Sequence, residues 1–597
     1  MTIPIYAPRL RPQLLLLPLA LTLSIVPDTI SIEVNTDTND RCGVYLAPST
    51  IPGAGLGMFA GRHFQKYDTV TAGDIILPIM EIAWHNEHHH FFFLWDEYTW
   101  SHTISPDMAF ETEGDDLHAA SPGIGAAVNC ILPLVNIVDS GTQLDNADLH
   151  RSRDPGSGAS TPYHDRKSVA TKVILPGEEL FIDYGETYFT SREETYGLLP
   201  LEQDYSKADR ILKYYRQLRD TTLASASEQL HNDLWTILSN IPIKSRVMNA
   251  LPPSRDQVNH LAQIGSNMQH KERSQHTLEW LEEHGQCMDH IQPVAQSRIK
   301  QAGRGVVASR LIRNNTLVAP SPLIHIPNRS VLIMYDAKLQ HEDGRLKRNV
   351  SSPNHVQLMV NYCFGHPQSS ILLSPYGSLT SLINHSPNPN TRVQWSKNLR
   401  HPEWLKQHPI TLNNEWHSGL SFDFVALRDI AKSEEITIDY GSEWQDAWDT
   451  HVKNWRPPDG AETYEAAYEL NRQLDLDIRT MKEQPYSDTV LLWIHAHYVA
   501  RNSAAKMHTG VDFYRALVLH RYNSRSDTLY TVLIFSTRDS DDFTLITWHG
   551  IVFGVSRDAF VFDDVPYTRD HQMTWAFRHD MKIPDDIMPE AWKNLNL

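Results

Sequence analysis

The sequence predicts a mixed fold, mostly β with some α, in which two related β-rich units are joined by a helical linker and followed by a C-terminal α+β region. Three observations support this fold class. Landmark segments occur twice, in the same order and at nearly constant spacing, which indicates a duplicated unit. Short runs rich in β-branched and aromatic residues, separated by turn residues, predict strands. Apolar residues at helical spacing lie between the units and after the second one.

The chain has 597 residues, which is too long for a single hydrophobic core. Changes in pattern along the chain predict five regions. They are a leader (1–30), the first unit (40–190), the helical linker (191–285), the second unit (286–445) and a C-terminal α+β region of unknown role (446–597).

The leader combines a basic start with an apolar run. Arg9 and Arg11 precede residues 14–26, a run shorter than the roughly 20 apolar residues that span a bilayer. This pattern is typical of a secretory signal peptide, and a buried strand or an uncleaved membrane anchor are the alternatives. A signal would direct the chain to the secretory pathway, a membrane-bounded compartment or a plastid. Without one, the nucleus or cytoplasm is expected, and any membrane contact would come from this segment.

The duplicated landmarks begin with a glycine-rich turn. Residues 49–60 and 297–308 share six of twelve positions, including both glycines of a Gly-x-Gly turn. Residues 181–185 and 437–441 both end in Ile-Asp-Tyr-Gly and follow a Glu-Glu pair, which we interpret as turn and strand-edge residues. Asn129-Cys130 and Asn384-His385 lie between these landmarks in the two units.

Secondary structure follows from periodicity and turn residues. Strands are predicted at 169–174, 179–184, 423–427, 435–440, 513–519 and 529–535, and helices at 205–240, 276–284, 443–455 and 464–484. Gly285 would end the second helix. The last stretch, 576–592, is polar and irregular in pattern.

Charge and cysteine usage exclude several classes of protein. The formal net charge of −19 argues against direct nucleic-acid binding, which needs a basic surface. An acidic surface suits a basic protein segment as partner, although acidity also serves solubility alone. The four cysteines are far apart in sequence, so neither a zinc site of four cysteines nor a disulfide scaffold is expected. The histidines at 85 and 88–90 could bind a metal ion, but a solvated loop is preferred and no metal is predicted.

Taken together and in order, the three landmarks resemble the SET-domain family, here as a tandem pair. The resembling motifs are Gly55-Leu56-Gly57 and Gly303-Arg304-Gly305, the Asn384-His385-Ser386 segment, and Asp439-Tyr440-Gly441 with its first-unit counterpart. The resemblance covers about residues 42–188 and 287–444. It implies small curved sheets around a knot-like crossing, the β-clip of this family. It does not extend beyond about residue 460.

The resemblance also implies an activity, protein-lysine N-methyltransferase, carried chiefly by the second unit with S-adenosyl-L-methionine as cofactor. The lysine-bearing substrate would be a protein. The implied cofactor-binding residues are Gly303, Arg304, Gly305, Asn384 and His385, with Gly55, Leu56, Gly57 and Asn129 in the first unit. Tyr440 and Tyr184 would be the catalytic residues. The glycines would let backbone approach the cofactor where a Cβ would collide.

The sequence departs from the family pattern in ways that bear on activity. Cys130 replaces the family's histidine in the first unit, and Pro387 replaces a cysteine in the second. Neither unit is followed by a zinc-binding cysteine cluster, so Tyr188, Trp444 and Trp448 would have to close the substrate channel. The alternative function is a non-catalytic SET-fold scaffold for protein interaction. The complete motifs of the second unit favour the enzyme, whereas Cys130 favours the scaffold.

Overall fold

A computed structural model describes most of the chain. The described residues are 41–80, 98–100, 117–123, 127–240, 245–342, 345–415, 417–483, 486–498, 513–524, 527–537, 546–565 and 568–593. The chain divides into Met1–Arg41 and one compact unit, Cys42–Leu597. The predicted leader and the histidine cluster at 85–90 lie outside the described residues. Among the residues described, no helix has the length and apolar character needed to cross a bilayer.

The described part of the chain is a mixed α/β structure with mostly strands. The strands of the first unit are β1 (Val44–Pro48), β2 (Leu56–Ala60), β3 (Leu77–Met80), β4 (Thr99–Trp100), β5 (Leu117–Ala120), β6 (Ile137–Asp139), β7 (Gln143–Leu144), β8 (Tyr163–His164) and β9 (Ser168–Ala170). They form small sheets, of which β1–β2, β3–β5–β4, β6–β9 and β7–β8 are antiparallel.

The strands described in the second unit include several longer ones. The strands are β10 (Gln286–Cys287), β11 (Ile291–Val294), β12 (Gly305–Ala308), β13 (Leu317–Ile326), β14 (Ile333–Glu342), β15 (Arg345–Val356), β16 (Phe364–Gly365), β17 (Leu372–Pro375), β18 (Asn384–His385), β19 (Thr391–Trp395), β20 (Leu420–Ala426) and β21 (Thr437–Ile438). The hairpin β11–β12 and the pair β19–β20 occupy the same places in this unit as β1–β2 and β6–β9 in the first. Strands β18 and β21 pair in parallel.

The C-terminal region adds a second large sheet. Its strands are β22 (Val490–His495), β23 (Phe513–Ser524), β24 (Asp527–Thr537), β25 (Ile546–Val555) and β26 (Phe560–Asp564), arranged in the order β25-β24-β23-β22-β26. The last strand, β27 (Met581–Lys582), leaves this sheet and pairs in parallel with β16 of the second unit.

The α-helices lie mainly in the predicted linker. They are α1 (Glu186–Thr190), α2 (Glu193–Tyr196), α3 (Glu202–Asp220), α4 (Glu228–Asn240), α5 (Arg246–Ala250), α6 (Val258–Ile264), α7 (Leu278–His284), α8 (Ser442–Asn454) and α9 (Ala467–Arg472). Thr277 caps α7 by accepting a hydrogen bond from the backbone N–H of Trp280. The helix predicted at 464–484 is realised only as α9, and the polar stretch at 576–592 contains β27.

The largest hydrophobic core crosses the boundaries predicted from sequence. It contains side chains of the second unit, together with Ile75 and Leu77 of the first unit and Met581 and Trp592 near the C-terminal end. Residues 576–592 are predicted to belong to the separate region 446–597, because the resemblance ends near residue 460 and this stretch is irregular in pattern. Several of its apolar side chains, including Met581 and Trp592, are buried in the core of the second unit.

One disulfide bond joins the two units. Cys42 and Cys287 are bonded, and Tyr45 of β1 pairs with Cys287 of β10. No disulfide scaffold is expected from the sequence, and this bond corrects that expectation: the two cysteines are 245 residues apart, and only the fold brings them together. Cys130 and Cys363 are free and buried.

Candidate active site

A cavity of about 300 Å³ lies in the second unit, at its contact with the first unit and with the C-terminal segment. Four of the predicted cofactor-binding and catalytic residues line this cavity: Arg304, Asn384, His385 and Tyr440. Its volume is at the lower end of the roughly 300 to 1,000 Å³ that is usual for small-molecule sites.

Glu435 organises the polar side of this site. Its carboxylate accepts hydrogen bonds from Ser297 Oγ at 2.5 Å, from the Arg298 backbone N–H at 3.0 Å and from Asn384 Nδ2 at 3.2 Å. Asn384 Nδ2 also donates to the backbone carbonyl of Arg304 at 2.8 Å. Both amide hydrogens of Asn384 are therefore used by the protein, whereas no residue that the structure describes donates to its Oδ1, which can accept a hydrogen bond from a ligand.

The two glycines of the turn lie behind the cavity wall. A Cβ on Gly305 would lie 2.8 Å from Glu435 Oε1 and 3.1 Å from Asn384 Nδ2, so a side chain here would displace this pair. Gly303 has a φ of +72°, a left-handed conformation that favours glycine. Neither glycine lines the cavity. The close approach of these side chains is a reason for glycine at position 305 within the protein itself, and the predicted approach of a cofactor to the turn stays a prediction.

His385 is held as a neutral ring by two hydrogen bonds. Its Nδ1 accepts from the Tyr440 backbone N–H at 3.0 Å, so the ring proton is on Nε2, which donates to Gln445 Oε1 at 2.8 Å. Burial lowers the pKa of His385, which also favours the neutral form. The ring therefore serves as a fixed link between the Asn-His strand and α8.

The Tyr440 hydroxyl is fixed at the base of the site. It donates to the backbone carbonyl of Ile383 at 2.5 Å. Burial raises the pKa of Tyr440 well above its usual value, so the phenol stays protonated at any physiological pH. In this arrangement the tyrosine offers an oxygen lone pair and a dipole, and it cannot act as a general base.

Aromatic rings form another part of the cavity lining. Trp444 and Trp448, one turn apart on α8, are stacked with centroids 5.9 Å apart. Phe577 of the C-terminal segment packs edge-on against both, at 5.6 and 5.0 Å. Trp444 also packs edge-on against Tyr440, at 4.9 Å. The cavity thus has one aromatic side and one polar side.

Ser381 contributes a polar group without a protein partner. Its hydroxyl is buried and makes no hydrogen bond to any residue that the structure describes, although Ser381 lines the cavity. A buried hydroxyl without a partner is unfavourable by about 1–3 kcal/mol, and a bound polar molecule could relieve this.

The side chain of Arg304 points toward the first unit. It is buried and forms an ion pair with Asp145, and its Nη2 donates to the Asp145 backbone carbonyl at 3.1 Å. Its Nη1 donates to the Thr161 carbonyl at 3.4 Å. Burial lowers the pKa of Arg304 to about 10, so it remains charged at neutral pH.

The first unit contains the same hydrogen-bonded frame. Glu179 accepts from Ser49 Oγ at 2.6 Å, from the Thr50 backbone N–H at 2.8 Å and from Asn129 Nδ2 at 3.2 Å. Asn129 Nδ2 donates to the Leu56 carbonyl at 2.9 Å. A Cβ on Gly57 would lie 2.3 Å from Glu179 Oε1, which reproduces the crowding at Gly305.

The tyrosine of the first unit is also placed in the same way. Tyr184 donates to the Val128 carbonyl at 2.5 Å, as Tyr440 does to Ile383. Cys130, which follows Asn129, is buried near the Tyr184 backbone, and burial raises its pKa to about 12. Of the first-unit residues predicted from sequence, Asn129 and Gly57 contact Glu179, and none of the set lines the cavity of the second unit. The set is Gly55, Leu56, Gly57, Asn129 and Tyr184.

Several residues of the site have no sequence signal that distinguishes them. Ser160 and Thr161 come from the first unit, Asn361 and Tyr362 from the middle of the second, and Phe577 from the C-terminal segment. They lie outside the three landmarks, and only the tertiary structure brings them to one cavity. Of the three residues expected to close the channel, Trp444 and Trp448 line the cavity, whereas Tyr188 packs against Tyr184.

Comparison with known proteins gives one family match, which lies within the second unit. Residues 303–441 match the family model of the SET domain. The SET match begins at Gly303 and ends at Gly441, and so contains Asn384, His385 and Tyr440. No curated protein matches the chain.

Solved structures with local similarity include methyltransferases. One is a candidate histone methyltransferase of Plasmodium falciparum, 22% identical, which covers 26% of this chain and 97% of that chain with a TM-score of 0.17. Another is the polycomb repressive complex 2 of Chaetomium thermophilum in an autoinhibited conformation bound to S-adenosylmethionine, 16% identical. It covers 26% of this chain but only 17% of that chain, with a TM-score of 0.16. At these TM-scores the similarity carries no inference about this chain.

Proposed function

We propose that the second unit transfers a methyl group from S-adenosyl-L-methionine to a lysine side chain of a protein substrate. The observation that carries this proposal is that Asn384, His385 and Tyr440, from separate segments of the SET match, line one cavity. A basic, lysine-bearing segment suits the net charge of −19, and direct nucleic-acid binding is not part of the proposal.

The residues of the cavity fit the proposed cofactor. The Asn384 Oδ1 can accept from the ammonium group of its methionine part, and the Ser381 hydroxyl can pair with a second polar group. The aromatic side formed by Trp444, Trp448 and Phe577 suits a planar base. When bound, the cofactor supplies a methyl group on a positively charged sulfur.

The chain's own contribution is to bring a neutral amine into line with that methyl group. A lysine amine has a reference pKa of about 10.4, and an apolar channel lowers this value by removing water. Trp444 and Tyr440 form such a surface at the site. The Tyr440 hydroxyl, fixed by its bond to Ile383, offers its lone pair to orient the amine. Alignment and electrostatic fit would account for most of the rate enhancement.

We further propose that residues 42–188 are a second SET-type fold, so that the chain is a tandem protein with the knot-like crossing of that family in each unit. The frame around Glu179 and the frame around Glu435 support this proposal bond by bond. The parallel pairing of β18 with β21, and the parallel bridge between Asn129 and Phe181, support the crossing.

Isothermal titration calorimetry with S-adenosylmethionine tests the proposed activity. We expect the wild-type protein to bind the cofactor and Asn384→Ala to lose at least about tenfold in affinity, because the Oδ1 acceptor is removed. Asn129→Ala is the matched control, since it breaks the same frame in the first unit and should leave the affinity unchanged.

Two results would contradict the proposal. Absence of heat from wild-type protein at millimolar cofactor would favour the non-catalytic scaffold. Loss of binding in Asn129→Ala, with Asn384→Ala unaffected, would move the activity to the first unit.

A further inference from the structure

Each unit carries an insertion at the same place in its fold. The first insertion, residues 140–167, connects β6 to β9, and the second insertion, residues 396–419, connects β19 to β20. The two strand pairs are equivalent in the two units. Their connections therefore leave corresponding positions.

Each insertion packs against the glycine turn of the other unit. A Cβ on Gly303 of the second unit would lie 3.3 Å from Ser160 Oγ of the first insertion. In the other direction, a Cβ on Gly55 of the first unit would lie 2.7 Å from Arg400 Nη1 of the second insertion, and Arg400 also donates to the Gly53 carbonyl at 3.4 Å. Each insertion thus covers the first glycine of the other unit's turn.

The first insertion is fixed firmly to the cavity of the second unit. Asn361 Nδ2 donates to the Ala159 carbonyl at 2.8 Å and to the Phe577 carbonyl at 2.9 Å, and thereby joins the insertion to the C-terminal segment. The Thr161 backbone N–H donates to the Tyr362 hydroxyl at 2.9 Å. The ion pair between Asp145 and Arg304 fixes the second unit's turn to the same insertion.

Part of the insertion remains available to a ligand. Ala159, Ser160 and Thr161 all line the cavity. Ser160 is only partly buried, and its hydroxyl makes no hydrogen bond to any residue in the described ranges. Its position against Gly303 places this hydroxyl beside the turn that the proposed cofactor would follow.

We propose that the first insertion forms one wall of the second unit's cofactor site, with Ser160 in contact with the bound cofactor. The first unit is then a part of the second unit's active site, supplied in cis, rather than only a second copy of the fold. The proposal rests on the proposed function, because the ligand class is the same S-adenosyl compound.

Protection of a single introduced thiol tests this wall directly. Ser160→Cys is nearly isosteric, and the full-length variant would be labelled with N-ethylmaleimide with and without S-adenosylmethionine. The natural cysteines give a low background, because Cys130 and Cys363 are buried and Cys42 is bonded to Cys287. We expect saturating cofactor to slow the labelling of residue 160 by about tenfold or more, since contact blocks access to the sulfur.

Arg153→Cys is the matched control. Arg153 lies on the same insertion with 69% of its side chain exposed, away from the cavity, so its labelling rate should not respond to cofactor. Calorimetry on the same preparations separates the two proposals. If the cofactor binds and residue 160 is not protected, the wall is refuted while the proposed function stands. If the wild-type protein does not bind the cofactor, both proposals fall.

Discussion

The two units share a hydrogen-bonded frame but differ at two positions beside it, the residue after the asparagine and the fifth residue after the tyrosine. In the second unit, His385 bridges the Tyr440 backbone and Gln445. In the first unit the histidine is replaced by Cys130, and the position five residues after the tyrosine, which is Gln445 in the second unit, holds the buried Phe189. Two hydrogen-bonded polar residues of the second unit thus correspond to two apolar residues in the first unit.

This difference separates what the fold needs from what the site needs. The frame of Glu, Asn and Ser is present in both units, so it does not distinguish the two units. The hydrogen bond between His385 and Gln445 belongs to the second unit, beside the cavity. A neutral histidine that is hydrogen-bonded at both nitrogens can fix the position of Asn384 relative to α8. A thiol and a phenyl ring can pack together but cannot form such hydrogen bonds.

The largest effect on stability is expected when the glutamate of the frame is removed. Glu179 is 1% exposed and Glu435 is only partly buried, although both accept the same hydrogen bonds. Glu179→Ala should destabilise the protein by about 3–5 kcal/mol, because buried donors lose their acceptor and a cavity forms. Glu435→Ala should be less destabilising, by about 2 kcal/mol, since water can reach part of the site.

Thermal unfolding of the two variants measures this contrast, and cofactor calorimetry completes it. Glu435→Ala should lose cofactor affinity because Asn384 loses its support. Equal melting temperatures for the two variants would show that burial does not distinguish the frames.

The sequence predicted the frame's landmarks because they are local motifs. Each landmark is only a few residues long: the Gly-x-Gly turn, the asparagine with the residue after it, and the Asp-Tyr-Gly segment. Their common order in the two units indicated a shared fold. The strands at 513–519 and 529–535 were found for the same reason, as continuous β-type runs within β23 and β24.

What the sequence could not predict depends on contacts between distant segments. Phe577 is a single aromatic residue in a polar stretch, and Ser160 is an ordinary loop serine, yet both line the cavity. The bond between Cys42 and Cys287 depends on the pairing of β1 with β10. No periodicity or spacing encodes such pairings, because they are set by how the units pack.

A smaller effect on stability is expected when Cys130 of the first unit is replaced by histidine. Cys130→His would place Nδ1 near the Tyr184 backbone N–H, but Nε2–H would meet Phe189 instead of an amide oxygen. We expect a loss of about 1–3 kcal/mol in stability, because a buried donor is left without an acceptor. The double variant Cys130→His/Phe189→Gln should recover part of that loss. Failure of the double variant to recover any stability, measured by thermal unfolding, would show that the two positions are not coupled.

The smallest expected effect on stability comes from a buried carboxylate at the contact between the units, and this effect depends on pH. Asp74 of the first unit is buried, and its carboxylate accepts from the backbone N–H of Leu379 at 2.7 Å and of Ile75 at 2.8 Å. Leu379 has a φ of +62° and begins the segment that carries Ser381 and Asn384 to the cavity. Burial raises the pKa of Asp74 to about 6, although the two hydrogen bonds lower it.

The sign of the pH dependence follows from that raised pKa. The folded protein holds the Asp74 proton more tightly than the unfolded chain does, so this stabilisation is complete below about pH 4 and is lost as the pH rises through about 6. Between pH 5 and pH 7 the contribution should fall by about 1 kcal/mol. Asp74→Asn cannot ionise, so its stability should lack this fall, even though its amide satisfies only one of the two backbone donors. If the free energy of unfolding changes with pH in the same way for the wild-type and variant proteins between pH 5 and pH 7, Asp74 does not titrate as proposed at the contact between the units.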